Sequence, residues 1–274
     1  MNDLFTSIPN GWKRTRLRFC IQNAQNGAWG GDAGSDEKDV ICVRVADFDW
    51  AKLAVNLEEP TIRSIKRDQF TKLALEPNDL LLKKSGGGEK TPAGRVVKFE
   101  SDVDAISSNF VARLRPTKQV ESAYLTYLLA GLYMSKFSHQ FIKQNTGIQN
   151  LDDTALFATS VWIPDLATQK AIGDFLDRET ARIDQLIAKK QRMVALIEEK
   201  QQELLDQLVT GYISSAKERK AVRVPWINTV PANWKALPIK RYSPCPSPTV
   251  LTRLLNSSMR AFPSFLLSPS RAAK

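Results

Sequence analysis

The stretch TQKAIGDFLDRETARIDQLIAKKQRMVALIEEKQQELLDQLVT, residues 168–210, decides the architecture of this chain. It is rich in helix-forming residues and contains no proline and one glycine, Gly173. Its apolar residues fall on positions spaced alternately by three and four, the pattern of a coiled-coil seam. This seam comprises Leu176, Ile183, Ile187, Val194, Ile197, Leu204 and Leu208. At about 1.5 Å per residue such a helix measures roughly 60 Å, so we expect it to extend beyond any one domain.

Three polar residues, Thr180, Lys190 and Gln201, also fall on seam positions. A polar residue in a seam lowers stability but specifies register and partner. Because helices owe most of their stability to burial of an apolar face, we expect a second helix to pair with this one. No other stretch of the chain offers a helix of comparable length. The alternative is a solvated helix that lies along its own domain.

Composition narrows the possible classes. The 274 residues suffice for one core with an appendage, or for two small domains. We find no signal-peptide pattern at the start and no apolar run of membrane-spanning length, so we expect a cytoplasmic protein without membrane contact. Cys20, Cys42 and Cys245 have no CxxC spacing and the chain has one histidine, so we expect neither a metal site nor a cofactor.

The net charge of +10 is unevenly distributed. Residues 1–165 contain 21 Lys/Arg and 20 Asp/Glu, residues 166–211 contain 7 and 8, and residues 212–274 contain 11 and 1. If the first domain binds nucleic acid, it therefore does so through a local patch rather than through its overall charge.

The pattern of elements predicts an α+β fold in which one mixed domain, residues 1–165, is followed by a long helix over residues 166–211. Five short β-like runs are predicted in the domain, at Val40–Val45, Leu80–Leu82, Arg95–Phe99, Phe110–Leu114 and Val161–Ile163. A leucine-rich face predicts one helix over residues 122–141. For the long helix we expect Thr168 as the N-terminal cap and Gly211 as the stop signal.

The sequence VPANWK at residues 230–235 repeats IPNGWK at residues 8–13. Each copy stands where a domain is expected to begin, so we interpret residues 212–240 as a linker and the truncated start of a second domain. Residues 241–274 then change in composition to seven serines, five prolines and no acidic residue. We expect this stretch to be disordered, as a degenerate or frame-shifted tail.

A basic, glycine-rich loop is the first candidate binding site. It contains Lys83, Lys84, Ser85, Gly86, Gly87, Gly88 and Lys90, and Arg95 follows. Glycines allow backbone N–H groups to approach phosphates, and the basic side chains attract them. A nucleotide P-loop is excluded by spacing, because Glu89 separates Gly88 from Lys90. A solvated turn remains the alternative.

Two further polar loops are candidates. Gln25, Asn26 and Trp29 combine amides, which can read adenine in the major groove, with an aromatic ring that would equally serve to cap the core. Gln144 and Asn145 lie in a polar turn whose residues also suit a tight turn. Four cations near the start are candidate phosphate contacts, although an edge strand would show the same alternation. They are Lys13, Arg14, Arg16 and Arg18.

Several segments together resemble the specificity subunits of type I restriction-modification enzymes. They are IPNGWK (8–13), GAWGGD (27–32) through VICVRVADF (40–48), PNDLLLKKSGGG (77–88) with GRVVKF (94–99), NTGIQNLD (145–152) and VWIPDLATQKAIGDFLDRETARIDQLI (161–187). The last segment is the most specific, because it joins a strand ending in proline to the start of the long helix.

The resemblance implies a non-catalytic subunit in which two target recognition domains each read half of a split DNA sequence. Two long antiparallel helices would hold these domains apart, and methyltransferase subunits would dock along the helices and connect to an ATP-dependent restriction subunit. This chain has one such domain and one such helix, so we expect a homodimer or pairing with a second half-subunit. The rival interpretations are a coiled-coil interaction module that binds no DNA, and an inactive pseudogene product of the same family.

Overall fold

The computed structural model describes residues 8–86, 91–145, 148–212, 218–224 and 227–235. The chain forms two compact units, Met1–Lys189 and Lys190–Lys274, and the boundary between them falls inside the long helix. The proposed tail at residues 241–274 lies outside the described residues. None of the described helices is both long and apolar enough to cross a lipid bilayer.

The first unit combines short strands with helices, which confirms the predicted α+β class and the mixed domain ahead of a long helix. Its strands are β1 (Lys13–Arg16), β2 (Ile21–Asn26), β3 (Lys38–Val43), β4 (Phe48–Asp49), β5 (Ala54–Val55), β6 (Ile62–Ile65), β7 (Leu80–Lys83), β8 (Val96–Lys98), β9 (Ala105–Ser107), β10 (Val111–Pro116), β11 (Ile142–Asn145), β12 (Ile148–Leu151) and β13 (Ser160–Ile163). Its helices are α1 (Arg67–Leu73), α2 (Ser122–Met134), α3 (Asp153–Phe157) and α4 (Leu166–Val209), with 3-10 turns at Leu17–Cys20, Val45–Asp47 and Phe137–Phe141.

A six-stranded sheet with the order β2-β10-β7-β8-β5-β4 forms the centre of this unit. Its middle strand β7 is buried on both faces. Leu80 and Leu82 face one apolar cluster, which includes Leu125 and Leu129 of α2. Leu81 faces the other cluster, which includes Phe99. A continuous run of leucines rather than an alternating pattern is expected for a strand covered on both sides.

A second sheet of three strands, β6-β3-β9, lies beside the first in the same unit. Its central strand β3 pairs antiparallel with β6 and parallel with β9. Two strand pairs complete the domain: β1 pairs with β13, and β11 forms a hairpin with β12. The β1–β13 pair joins the start of the domain to the strand that leads into α4.

The predicted strands are confirmed to within a few residues, but the predicted helix over residues 122–141 is wrong in its length. It ends at Met134, because Lys136 has a left-handed backbone with φ of 61° that no α-helix accommodates. A separate 3-10 turn follows at Phe137–Phe141. The structure also contains two short helices, α1 and α3, that were not predicted.

The N-terminal cap of α4 is Asp165 rather than the predicted Thr168. The Asp165 carboxylate accepts a 3.0 Å hydrogen bond from the backbone N–H of Thr168 and a 2.8 Å bond from its hydroxyl. These bonds hold the pKa of Asp165 below its ordinary value. An aspartate three residues before its backbone partner satisfies a helix N–H that would otherwise lack an acceptor.

The first turns of α4 pack against α2. Gln169 is buried, its amide donates to the carbonyls of Pro164 and Gln119, and its oxygen accepts from the backbone N–H of Glu121. Gly173 lies so close to Ala123 that an added Cβ would stand 3.1 Å from the alanine methyl. Tyr127 of α2 donates to Asp177 at 2.7 Å. The base of the helix is therefore fixed to the domain by side-chain contacts.

Beyond these turns the seam of α4 is exposed. Leu176 is half-buried, whereas from Ile183 onward the six remaining seam residues are each between 42 and 58% exposed. Several large apolar side chains beside the seam are exposed as well, among them Leu186 and Met193. The helix thus presents a long apolar stripe of the kind that helices bury against a partner.

In the second unit, α4 ends at Val209, and Gly211 is the stop signal, as predicted. Gly211 has φ of +70°, its N–H donates to Leu208, and the N–H of Tyr212 donates to Gln207. This pair of bonds is a Schellman motif, which terminates helices at a left-handed glycine. A hairpin of β14 (Arg219–Val224) and β15 (Ile227–Pro231) follows, and the second copy of the repeat begins within β15.

Candidate nucleic-acid interface

The predicted loops converge at one end of the six-stranded sheet. Register places Asn26 of β2 opposite Ala112 of β10, which in turn lies opposite Leu82 of β7. The end of β2, the end of β7 and the start of β10 therefore meet at one end of the sheet. This end of the sheet, together with the adjoining β11–β12 hairpin, is called the rim.

Lys84 connects two of the predicted loops at the rim. Its ammonium donates to the side-chain oxygen of Asn26 at 3.2 Å and forms an ion pair with Asp153 at 2.8 Å. A lysine beside an exposed amide can reach a phosphate or a base edge from the same position. Asp153 holds the ammonium in place and offsets part of its charge.

Lys83 does not belong to the interface, which corrects the prediction made for it. The residue is 3% exposed, and its ammonium donates to the carbonyl of Thr91 at 2.6 Å. Its backbone also bonds both Gly94 and Arg95. Burial, together with the charge of Arg95, lowers the pKa of Lys83. Lys83 thus connects the segments before and after the glycine-rich loop through hydrogen bonds inside the domain.

Arg95 is likewise occupied elsewhere. Its Nε donates to the hydroxyl of Tyr133 at 3.0 Å, and its guanidinium carbon lies 4.7 Å from the ring centre of Trp50 and 5.3 Å from that of Tyr133. A guanidinium between two aromatic faces is stabilised by cation–π attraction. The predicted phosphate contact at Arg95 is therefore replaced by a packing role.

The described part of the glycine-rich loop is bound to the hairpin. Ser85 donates to the side-chain oxygen of Asn150 at 2.6 Å, and the N–H of Gly86 donates to the carbonyl of Gln149 at 3.0 Å. Gly86 has φ of +83°, a backbone conformation that other residues rarely adopt. The predicted residues Gly87, Gly88 and Lys90 lie outside the described residues.

The hairpin brings the third predicted loop to the same place. Gln144 is exposed on β11 opposite Gln149 of β12, and Asn145 is the last residue of β11. Gln149 is buried, and its side-chain oxygen has no hydrogen-bond partner among the described residues. The rim thus joins the glycine-rich loop to a second amide-rich segment that lies some sixty residues later in the chain.

The loop that follows β2 extends from the rim toward the second sheet. Gly27 approaches the backbone of Ser107 so closely that a Cβ there would overlap the Ser107 carbonyl. Trp29 is 42% exposed and stacks with Arg63, whose guanidinium carbon lies 4.8 Å from the ring centre. Of the two interpretations of Trp29, the structure favours a surface ring over a core cap.

Sequence reasoning missed three residues of this region. Arg63 holds the loop by donating to the carbonyls of Trp29 and Gly30 and by pairing with Asp32 at 2.7 Å. Phe110, 44% exposed, stands beside Gly86 at the start of β10. Asp153 pairs with Lys84. None of these carries a local sequence signal, because their importance comes from tertiary contacts.

The described residues contain no group of three or more His, Cys, Asp and Glu side chains placed to hold a metal ion. Burial raises the pKa values of Cys20 and Cys42 to about 11, so these two thiols are protonated and unreactive near neutral pH. Burial also lowers the pKa of His139, whose ring packs against Tyr133. The described part of the rim offers hydrogen bonding by amide side chains and a lysine, whereas the backbone N–H groups of Lys84, Ser85 and Gly86 are bonded within the protein.

Residues 65–194 match the family model described as "Type I restriction modification DNA specificity domain". The chain is 23% identical over 156 residues to the type I restriction enzyme StySPI specificity subunit of Salmonella potsdam, covering 57% of this chain and 33% of that protein. It is 21% identical over 235 residues to the putative type I restriction enzyme MjaX specificity subunit of Methanocaldococcus jannaschii, covering 84% and 52%. It is 24% identical over 141 residues to the EcoKI specificity subunit of Escherichia coli K12, covering 51% and 30%.

The fold has a counterpart among solved structures. A chain described under "Structural basis underlying complex assembly and conformational transition of the type I R-M system" superposes with a TM-score of 0.53 at 20% identity, covering 74% of this chain and 46% of that one. At this identity the likeness concerns the fold. The chain spans about half or less of the length of the relatives it matches.

Proposed function

We propose that this chain is a type I restriction-modification specificity subunit and that its first domain reads one half of a split DNA target. The proposal is supported by the match of residues 65–194 to the DNA specificity domain of that family and by the relatives described above. The reading surface is the rim. The long helix α4 sets the distance to a second recognition domain and provides the docking surface for a methyltransferase subunit.

The observation that carries this proposal is the convergence of three separate loops at the rim. Asn26, Lys84 and Gln144 come from distant parts of the chain and lie at the same edge of the domain. Amide side chains make paired hydrogen bonds to adenine, and a lysine meets guanine or phosphate. Two exposed rings, Trp29 and Phe110, accompany them.

We assign no catalytic step to this chain. The rim contains amides, glycines and one ion-paired lysine, and the thiols of Cys20 and Cys42 are buried. In our proposal the methyl transfer, and any DNA cleavage, belong to partner subunits. The contribution of this chain is to select the DNA sequence on which they act.

The exposed stripe of α4 supports the pairing part of the proposal. A 44-residue helix spans about 66 Å at 1.5 Å per residue, and six seam residues in its last 27 positions are exposed. We propose that a second copy of this chain covers the seam in antiparallel orientation. Two copies would then read a palindromic split sequence, because the symmetry of the protein is repeated in the DNA.

The width of the stripe supports a further partner. Leu186 and Met193 are exposed apolar residues that lie beside the seam and do not belong to it. A face wider than a two-helix seam is typical of a helix that packs against more than one neighbour. We propose that the methyltransferase subunit docks on this flank.

A methylation map of cellular DNA, made with and without this gene, tests the function. Loss of one split motif on deletion is the expected result, and an unchanged map would contradict the proposal. Complementation with an Asn26→Ala, Gln144→Ala variant should abolish or change one half of the motif. A Gln69→Ala variant, which alters an exposed amide on α1 away from the rim, should restore the original motif.

A further inference from the structure

Residues 8–31, at the start of the described part of the chain, have an unusual charge. Residues 8–31 contain four cations and no carboxylate, although residues 1–165 as a whole are nearly neutral. The cations are Lys13, Arg14, Arg16 and Arg18, and all four are exposed. We call these four residues the basic strip.

The basic strip is not neutralised by neighbours. Among the described residues no carboxylate lies within 4.0 Å of any of its four cations, whereas many other cations of this unit are ion-paired. The paired cations are Lys38, Arg44, Lys52, Arg63, Lys84, Lys98, Arg115 and Lys143. A cluster of uncompensated cations on a near-neutral domain produces a local positive potential, which attracts a polyanion.

The backbone of β1 and the following 3-10 turn positions these cations. In the β1–β13 pair, Arg14 and Arg16 lie opposite Trp162 and Ser160, while the intervening Thr15 lies opposite the buried Val161. The two arginines therefore share the outer face of the pair. Arg18 stacks on Phe19, with its guanidinium carbon 4.7 Å from the ring centre, and this ring is itself 60% exposed.

Strand β2 connects the basic strip to the rim. Among the described strands it pairs with β10 alone, so its other edge is open. Its exposed side chains include Gln22, Asn23 and Asn26, and none is acidic. At about 3.3 Å per residue, the five steps from Ile21 to Asn26 place the start of β2 about 17 Å from the rim.

We propose that DNA lies along the open edge of β2, with its specific half-site at the rim and its sugar-phosphate backbone on the basic strip. This inference rests on the proposed function and adds a second contact surface to it. At 3.4 Å per base pair, the length of β2 alone corresponds to about five base pairs, and the basic strip precedes β2 in the chain. The basic strip therefore holds phosphates outside the half-site and contributes affinity without sequence preference.

The test uses the full chain and a fluorescent double-stranded DNA of mixed sequence. In a strip variant, all four cations are replaced: Lys13→Gln, Arg14→Gln, Arg16→Gln and Arg18→Gln. In a matched control, four exposed cations elsewhere are replaced: Lys66→Gln, Arg67→Gln, Lys72→Gln and Lys118→Gln. Both variants lose the same net charge, so a difference between them reports the position of the cations. Thermal unfolding verifies that each variant folds.

Binding is measured between about 50 and 200 mM salt, where log K falls by about 0.9 per phosphate contact for each decade of salt. For the strip variant we expect the slope to decrease by about 1.8 for Arg14 and Arg16, which share one face of β1, and by up to about 3.6 when all four cations contact phosphates. The control should keep the wild-type slope. In cells, the strip variant should methylate the same motif at fewer sites, because its sequence readout is intact.

The outcomes separate the two proposals. If the wild-type chain shows no salt-dependent DNA binding, the proposed function itself fails. If the wild-type chain binds and the strip variant keeps its slope, DNA reading stands and the basic strip is overturned. In that case weakened association of the strip variant with the methyltransferase would identify an acidic protein surface as its occupant. A changed motif would also overturn the proposal, because it would place the basic strip among the base-reading residues.

Discussion

Replacing Ile187 and Ile197 together by alanine should disrupt the pairing of two α4 helices. These residues are 48 and 56% exposed in the single chain. The seam positions are spaced symmetrically about residue 192, so in an antiparallel pair Ile187 of one copy lies opposite Ile197 of the other. The double substitution therefore truncates both isoleucines of an Ile187–Ile197 layer, and each dimer contains two such layers.

The magnitude follows from the exposed fractions. Complete burial of a large aliphatic side chain contributes about 1.5 to 3 kcal/mol. Each isoleucine is about half-exposed in the single chain. Pairing buries this exposed half and therefore contributes about 1 kcal/mol for each side chain. Four side chains are truncated per dimer, so we expect a loss of about 4 kcal/mol, or about a thousandfold in the dissociation constant.

Sedimentation equilibrium over a range of concentrations measures this change. A control variant, Leu196→Ala with Val209→Ala, shortens two exposed apolar side chains of α4 that lie outside the seam. This control should dimerise like the wild type. The reasoning is refuted if the wild-type chain is monomeric at micromolar concentration, or if the control weakens association as much as the seam variant. A monomer that associates with a separately encoded specificity subunit would support heterologous pairing instead.

Three further predictions concern the domain. Gly27→Ala should reduce sequence-specific methylation, because its methyl group would overlap the Ser107 carbonyl and displace the loop at Trp29; Gly131→Ala, at a helical glycine with open space around it, is the control for altered methylation. Gln169→Leu should lower the free energy of unfolding by about 1 to 3 kcal/mol, since it leaves buried backbone groups at Pro164 and Glu121 without partners; urea denaturation with an unchanged midpoint would contradict this. Burial lowers the pKa of Lys83 in the folded chain below its ordinary 10.5. Between the folded and the unfolded pKa the unfolded chain binds more protons, so the free energy of unfolding should rise with pH toward 10.5. A Lys83→Met variant should lack this rise, which is measured as the urea midpoint at each pH. An identical pH dependence of the midpoint in the wild type and the variant would contradict the prediction.

The elements that could be predicted are those with a clear local signal. The spacing of apolar residues identified α4, and Gly211 marked its end because a left-handed glycine terminates helices. The end of α2 was less accessible, since the leucine pattern carries no information on the backbone of Lys136. The five-residue helix α3 is shorter than two turns, so a periodic pattern had no room to develop.

The candidate site shows the same division. The three loops could be recognised as polar, glycine-rich segments, but their convergence depends on strand order, which local patterns do not reveal. Lys83 and Lys84 are adjacent in sequence and point in opposite directions, one into the domain and one to the rim. Because β7 is buried on both faces, the usual alternation of exposed and buried residues could not indicate which lysine remained accessible.

The location of the rim at the ends of strands has an evolutionary consequence. The leucines of β7 are sealed between two apolar layers, whereas the amides that face outward are attached only at the strand termini. Mutations among these terminal residues therefore need not disturb the interior. If the rim reads DNA as proposed, its sequence preference can change in a lineage while folding is preserved.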